Sequence, residues 1–133
     1  MKNLRIASLF IVILFMASCA NTAKFPVSSV TPSADITATK KKDKNGNYKI
    51  SITAKNLASA DRLMPAENVY VAWIVKDEGG IRNLGQLTHK NANTVSLETL
   101  SPQTFSEVFI TAEQDGNISY PIGVEISRVK FKK

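Results

Sequence analysis

Two carboxylates near the C-terminus could do chemistry if the fold sets them side by side. Glu107 and Glu125 fall on strand-forming runs, Phe105–Glu113 and Ile118–Phe131, joined through Asp115-Gly116-Asn117. An odd-length loop with a bulge sets Glu107 opposite Glu125 on the outward face, with Cβ atoms about 4.5–5.5 Å apart. Carboxylates about 5–5.5 Å apart suit a retaining glycosidase, and such a pair also suits a divalent cation. The simpler account is two solvated glutamates relaxed by Arg128 and Lys130. Among the aromatics, Tyr70 is the candidate ligand contact, an exposed ring able to stack on a sugar. Trp73, flanked by Val71 and Val75, reads instead as the core tryptophan of a sandwich. His89 stands alone in the polar run Thr88-His89-Lys90-Asn91 and reads as a solvated turn residue. Asp43–Asn47 and Glu113–Asn117 echo calcium loops in composition. Both lack the spaced acidic ligands and distal glutamate of an EF-hand, and hairpin turns account for them. No Gly-x-Ser-x-Gly elbow, His-Glu-x-x-His pair or phosphate-binding glycine loop is present. We therefore expect no catalytic residue, no metal and no cofactor.

The N-terminus reads as an address. Lys2 and Arg5 precede the apolar stretch Ile6–Ala17. As a helix that stretch covers about 18 Å, well short of a hydrocarbon core of about 30 Å, so residues 1–18 fit a signal peptide. Met16-Ala17-Ser18-Cys19 resembles the bacterial lipobox, with Met16 where leucine is usual. The resemblance implies that Cys19 carries a diacylglyceryl thioether and becomes the mature N-terminus, which leaves no thiol nucleophile. Ala20 and Asn21 follow the cysteine and no aspartate does. By similarity to enterobacterial sorting signals, that implies an outer-membrane lipoprotein facing the periplasm. Removing Lys2 and Arg5 from the 17 basic residues leaves 15 against 11 acidic ones, a net charge of +4. Nucleic acid is a poor partner for an exported chain whatever its charge.

The mature sequence must position these residues with strands. Ala20–Ala34 carries Pro26 and Pro32 and reads as a tether that starts to pack near Phe25 and Val27. From Asp35 onward, short β-rich runs alternate with turn residues. They are Ile36–Lys40, Tyr48–Ala54, Val69–Val75, Ile81–Thr88, Thr94–Leu100, Phe105–Glu113 and Ile118–Phe131. Tyr48, Ile50, Ile52 and Ala54 alternate onto one face. Asp43–Asn47 is strong hairpin chemistry, because Asn and Gly tolerate positive φ. Leu57–Asn68 has room for one helical turn near Ala58–Arg62. Val69–Val75 lacks alternation and suggests a central strand covered on both faces. In the last run Tyr120, Ile122, Val124 and Ile126 look like a core face, and Pro121 sits at an edge or a break because it cannot donate to a ladder. About seven strands in this length predict an all-β, immunoglobulin-like antiparallel sandwich over residues 35–133, with residues 19–34 as lipidated cysteine and tether.

Several local sequences also resemble a known family. Leu63-Met64-Pro65, Tyr70-Val71-Ala72-Trp73-Ile74-Val75, Leu84-Gly85-Gln86-Leu87 and Val108–Glu113 followed by Pro121 are similar to the extracytoplasmic C-terminal domain of anti-sigma-K-type factors. Small envelope lipoproteins of Bacteroidetes-type bacteria carry a similar domain. The resemblance spans Leu63 to Pro121 and implies a β-sandwich in the envelope. Sigma-factor binding is not implied, because the family's cytoplasmic helical region and transmembrane helix have no counterpart here.

Two basic clusters remain, Lys40-Lys41-Lys42 with Lys44, and Arg128, Lys130, Lys132 and Lys133. They read as edge protection against sheet-to-sheet association, with contact to anionic lipid or cell-wall polymer as the rival account. The resulting expectation is a lipid-anchored envelope sandwich with a binding or structural role and no catalysis. Its partners are the membrane, through the lipid, and an envelope protein or glycan. A carbohydrate-binding module using Tyr70 is the first alternative, and a hydrolase using Glu107 and Glu125 the second.

Overall fold

The computed structural model describes residues 20–132, so Cys19 and the expected signal peptide, residues 1–18, lie outside the described residues. Among those described, nine strands form two antiparallel sheets. They are β1 (Asn21–Lys24), β2 (Asp35–Lys42), β3 (Tyr48–Lys55), β4 (Val69–Lys76), β5 (Ile81–Gln86), β6 (Thr88–Asn91), β7 (Thr94–Ser101), β8 (Phe105–Glu113) and β9 (Glu125–Lys130). The five-stranded sheet runs β1-β2-β3-β7-β6 and the four-stranded sheet β5-β4-β8-β9. Setting β1 aside, this is the A-B-E-D and C′-C-F-G order of an immunoglobulin-type sandwich. A single 3-10 turn, Ala60–Arg62, interrupts the β3–β4 connection.

The alternation in β3 has the expected outcome. Ile50, Ile52 and Ala54 are fully buried and join Ile36 and Ala38 of β2 against Tyr70, Ala72, Ile74, Val108 and Ile110 of the other sheet. The β2–β3 turn closes as its composition demands. Asp43 Oδ1 accepts from the backbone N–H groups of Asn45 (2.8 Å) and Asn47 (2.9 Å), and Gly46 takes φ +82°. Tyr70 through Ile74 are all buried, so β4 is indeed covered on both faces.

Nine strands replace the expected seven for two reasons. The run Ile81–Thr88 is two strands in different sheets, because buried Leu87 carries the chain across the sandwich and its N–H is held by the Tyr70 carbonyl at 2.9 Å. The segment read as tether also joins the sheet. Asn21–Lys24 pairs with β2 from Lys40 to Thr37, Phe25 is buried, and the domain starts near Asn21 rather than Asp35. Val27, expected to pack, is exposed instead.

The largest correction lies at the end of the chain. No strand covers residues 114–124, and β9 begins only at Glu125. Ile126 is buried, whereas Tyr120 is 65% exposed, Ile122 76% exposed and Val124 partly exposed. Asp115-Gly116-Asn117 does make a turn, with Asn117 N–H donating to Asp115 Oδ1 at 2.9 Å, but it opens a long connection rather than a hairpin. The buried Glu113 carboxylate anchors that connection. It accepts from Ile122 N–H (2.8 Å) and Gly123 N–H (2.7 Å). Alternation alone reads Tyr120–Val124 as a strand face, but Pro121 supplies no ladder donor and Glu113 takes the next two amides.

Candidate functional site

The 114–124 connection covers the outer face of the four-stranded sheet, and that decides what Trp73 does. Trp73 is fully buried, yet it does not face the inter-sheet core. It belongs to a second cluster with Val71 and Phe109, against which Ile81 and Ile118 pack. Its indole stacks on Phe109 with centroids 6.1 Å apart and donates from Nε1 to Thr111 Oγ1 at 2.9 Å. The inter-sheet position expected for Trp73 is held by its neighbours Tyr70, Ala72 and Ile74.

Tyr70 is therefore not an exposed stacking platform. It is 6% exposed, and its hydroxyl donates to the Ala58 carbonyl at 2.5 Å. Burial, assisted by the nearby Asp61 charge, pushes that hydroxyl from 10.0 up to about 12. What Tyr70 does is wall a cleft.

The cleft, of about 520 Å³, opens at the end of the sandwich where β3 finishes and β4 starts. Local chain geometry builds it. Asn56 adopts φ 56° and swings the chain off β3, while its N–H donates to the Asn93 carbonyl at 2.9 Å. The Leu57–Asn68 connection forms one wall and the Leu87 crossover with β6 the other. Alanine and leucine side chains, including Ala54, Leu57 and Leu87, supply apolar lining. Asn56, Gln86, Asn93, Arg62 and His89 supply polar groups; no carboxylate is among the lining residues, and the nearest one identified is Asp61, beside Tyr70. Such an arrangement can bind a ligand rich in hydrogen-bonding groups, neutral or negatively charged, over an apolar floor. Sequence reasoning missed the cleft. Its trace in the sequence is the density of amides at Asn56, Asn91 and Asn93.

The two glutamates do not form a facing pair. Glu107 pairs with Lys130 and Glu125 with Thr111, because a bulge between Ile110 and Thr111 and the long connection reset the register. Arg128 takes both carboxylates, with Nη1 3.3 Å from Glu107 Oε1 and Nη2 2.5 Å from Glu125 Oε1. Its guanidinium also lies 4.1 Å from the Phe109 ring centroid. Hydrogen bonds from Arg128, first to Glu125, hold the guanidinium pKa above its usual value. His89 is exposed on β6, at the cleft rim rather than in a turn. Both calcium-like segments spend their Asp oxygens on backbone N–H groups of their own turns. Among the described residues no group of three His, Cys, Asp or Glu side chains is placed to hold a metal ion.

A second cluster lies at the opposite end. Lys40 Nζ donates to the Phe105 carbonyl and sits 4.3 Å from the Phe105 centroid, 4.8 Å from Tyr48 and 5.7 Å from Phe131. Desolvation lowers its pKa, with Asp77 opposing. This lysine ties the two sheets together through three rings.

Comparison with protein-family models, curated proteins and solved structures returns no match to this chain. The candidate site therefore rests on its own geometry.

Proposed function

We propose that this protein is a lipid-anchored, non-catalytic binding protein of the cell envelope, with Cys19 as the acylated residue and the β3–β4 cleft as its ligand site. The cleft carries the reading. It combines an apolar floor, several amides and Arg62 in about 520 Å³, with no carboxylate in its lining. That composition favours an envelope component offering hydroxyl, amide or acidic groups, whether protein or glycan. The lipobox resemblance supports the anchor, and the absence of an acidic residue close behind Cys19 supports the periplasmic face of an outer membrane. The likeness to the outer domain of anti-sigma-K-type factors agrees with an envelope location and specifies no ligand. A saccharide ligand is the second reading. It depends on the amides, since Tyr70 is too buried to stack on a sugar ring.

The test is a photo-crosslinking amino acid placed at Asn93, on the cleft rim, in the full chain in cells. A matched position at Asn45, on the β2–β3 turn, and a Cys19→Ala background serve as controls. One dominant envelope adduct from position 93, absent from position 45 and lost without Cys19, supports the proposal. No adduct from position 93, or the same adducts from both positions, sinks it.

A further inference from the structure

The two basic clusters of the sequence converge, together with Lys49, on one end of the sandwich. Lys41, Lys42 and Lys44 lie at the β2–β3 turn, and Lys49 follows on β3. Lys130 and Lys132 come to the same end on the other sheet, as the contacts of Lys40 with Phe105 and Phe131 establish. All six are exposed. Among the described residues none of them makes an ion pair with a carboxylate, whereas Lys24, Lys76 and Arg128 each do. Asp43, Asp77, Glu78 and Glu107 are the acidic residues near this end; Glu107 stands opposite Lys130 in the ladder and is taken by Arg128, and Asp77 acts on Lys40. Asp43 is engaged by turn amides and Glu78 by Lys76.

Edge protection accounts for Lys130 on the edge strand β9 but not for the whole arrangement. Lys49 lies on β3, which has β2 on one side and β7 on the other, so it guards no free edge. Moreover Lys41 pairs directly with Lys49 in the ladder. Like charges at that spacing are unfavourable to the fold and become favourable only when an anion lies across them. The next residue in the same row, opposite Lys49 on β7, is Leu100, which is 54% exposed. A cation pair beside an exposed leucine suits a surface that is anionic outside and apolar just beneath.

The N-terminus adds the orientation. β1 starts at Asn21, which pairs with Lys40, so the chain enters the domain at this end. Cys19 is two residues upstream, a reach of about 7 Å at most. We propose that the end bearing Lys41, Lys42, Lys44, Lys49, Lys130 and Lys132 docks on the anionic phospholipid headgroups of the membrane that anchors the protein. The orientation, though not the charged face itself, rests on the acylation of Cys19 proposed above. The eight-residue strands β2 and β3 then hold the ligand cleft about 26 Å from the headgroups, facing away from the bilayer.

Full-length protein carrying Asn45→Cys or Asn93→Cys, labelled there with an environment-sensitive fluorophore, tests this after reconstitution into vesicles. One set of vesicles is phosphatidylcholine alone, and the other includes phosphatidylglycerol. The expected result is a blue shift at position 45 only with phosphatidylglycerol, reversed by high salt, and no shift at position 93. In a Lys41→Gln/Lys49→Gln chain the ratio of docked to undocked protein should fall about thirtyfold, roughly fivefold per lysine. No lipid-dependent shift at position 45, equal shifts at both positions, or an unchanged ratio in the double variant would overturn the proposal. Intact mass reads acylation separately. An unmodified Cys19 with a phosphatidylglycerol-dependent shift removes the anchor and keeps the charged face. An acylated Cys19 without that shift keeps the anchor and removes the face.

Discussion

Replacing Glu113 with alanine should loosen the cover over Trp73 while leaving the sandwich folded. Glu113 ends β8 with its side chain only 2% exposed, and its carboxylate takes the amides of Ile122 and Gly123 at 2.8 and 2.7 Å. Hydrogen bonds to a charged acceptor contribute about 1.5–3 kcal/mol each. Ile122 is exposed, so water replaces part of what its amide loses. The expected loss is then about 2–4 kcal/mol, read from the urea midpoint with the slope little changed. The milder change Glu113→Gln retains one acceptor and should lose about half as much. Because Ile118 belongs to the same connection and packs on the Trp73 cluster, freeing the connection exposes the indole. Trp73 is the only tryptophan, so fluorescence reports this position alone. Acrylamide quenching should rise and the emission maximum should move to the red. A stability loss below about 0.5 kcal/mol, or quenching identical to the parent protein, would refute the claim that Glu113 holds the cover in place.

Three further outcomes follow from the same geometry. A Cβ at Gly123 would stand 1.7 Å from the Ala112 carbonyl oxygen, in a segment where Ala112 N–H is itself held by Val124 at 2.9 Å, so neither backbone can yield freely. Gly123→Ala should therefore cost on the order of 3 kcal/mol in urea unfolding and raise Trp73 quenching as the Glu113 change does. Thr111→Val keeps the side-chain volume but removes the acceptor of the buried Trp73 indole N–H. It should lose about 1–3 kcal/mol, measured by the same unfolding experiment. For Tyr70, the folded hydroxyl titrates at about 12 against an ordinary value of 10.0. The unfolded chain therefore gives up this proton first, so the contribution is fully present below pH 10 and is lost as pH rises through 10 to 12. Urea midpoints across that window should fall less steeply in Tyr70→Phe than in the parent protein, and equal slopes would count against the assignment.

The amino-acid sequence determined those features in which neighbouring residues decide the outcome. Alternation in Tyr48–Ala54 set the buried face of β3, the apolar continuity of Val69–Val75 marked a strand covered on both sides, and Asp43–Asn47 specified its own turn. These depend on period-two geometry and on local hydrogen bonds, both of which a sequence displays directly. The features it concealed all depend on partners distant in the chain. Asn21–Lys24 is polar enough to read as a tether and becomes a strand only because β2 offers it an edge. Leu87 shows no sign of changing sheets until Tyr70 provides the carbonyl that holds it. Alternation likewise nominated Tyr120, Ile122 and Val124 for the core, although Pro121 supplies no ladder donor and Glu113 captures the amides of Ile122 and Gly123. With the register reset, Glu107 and Glu125 became two partners of Arg128 instead of a facing pair. Each basic cluster could likewise be read alone, but their meeting at the end where the chain enters the sandwich could not. That convergence is set by which strands pair and in what register, and those long-range pairings exist only once the two sheets have packed.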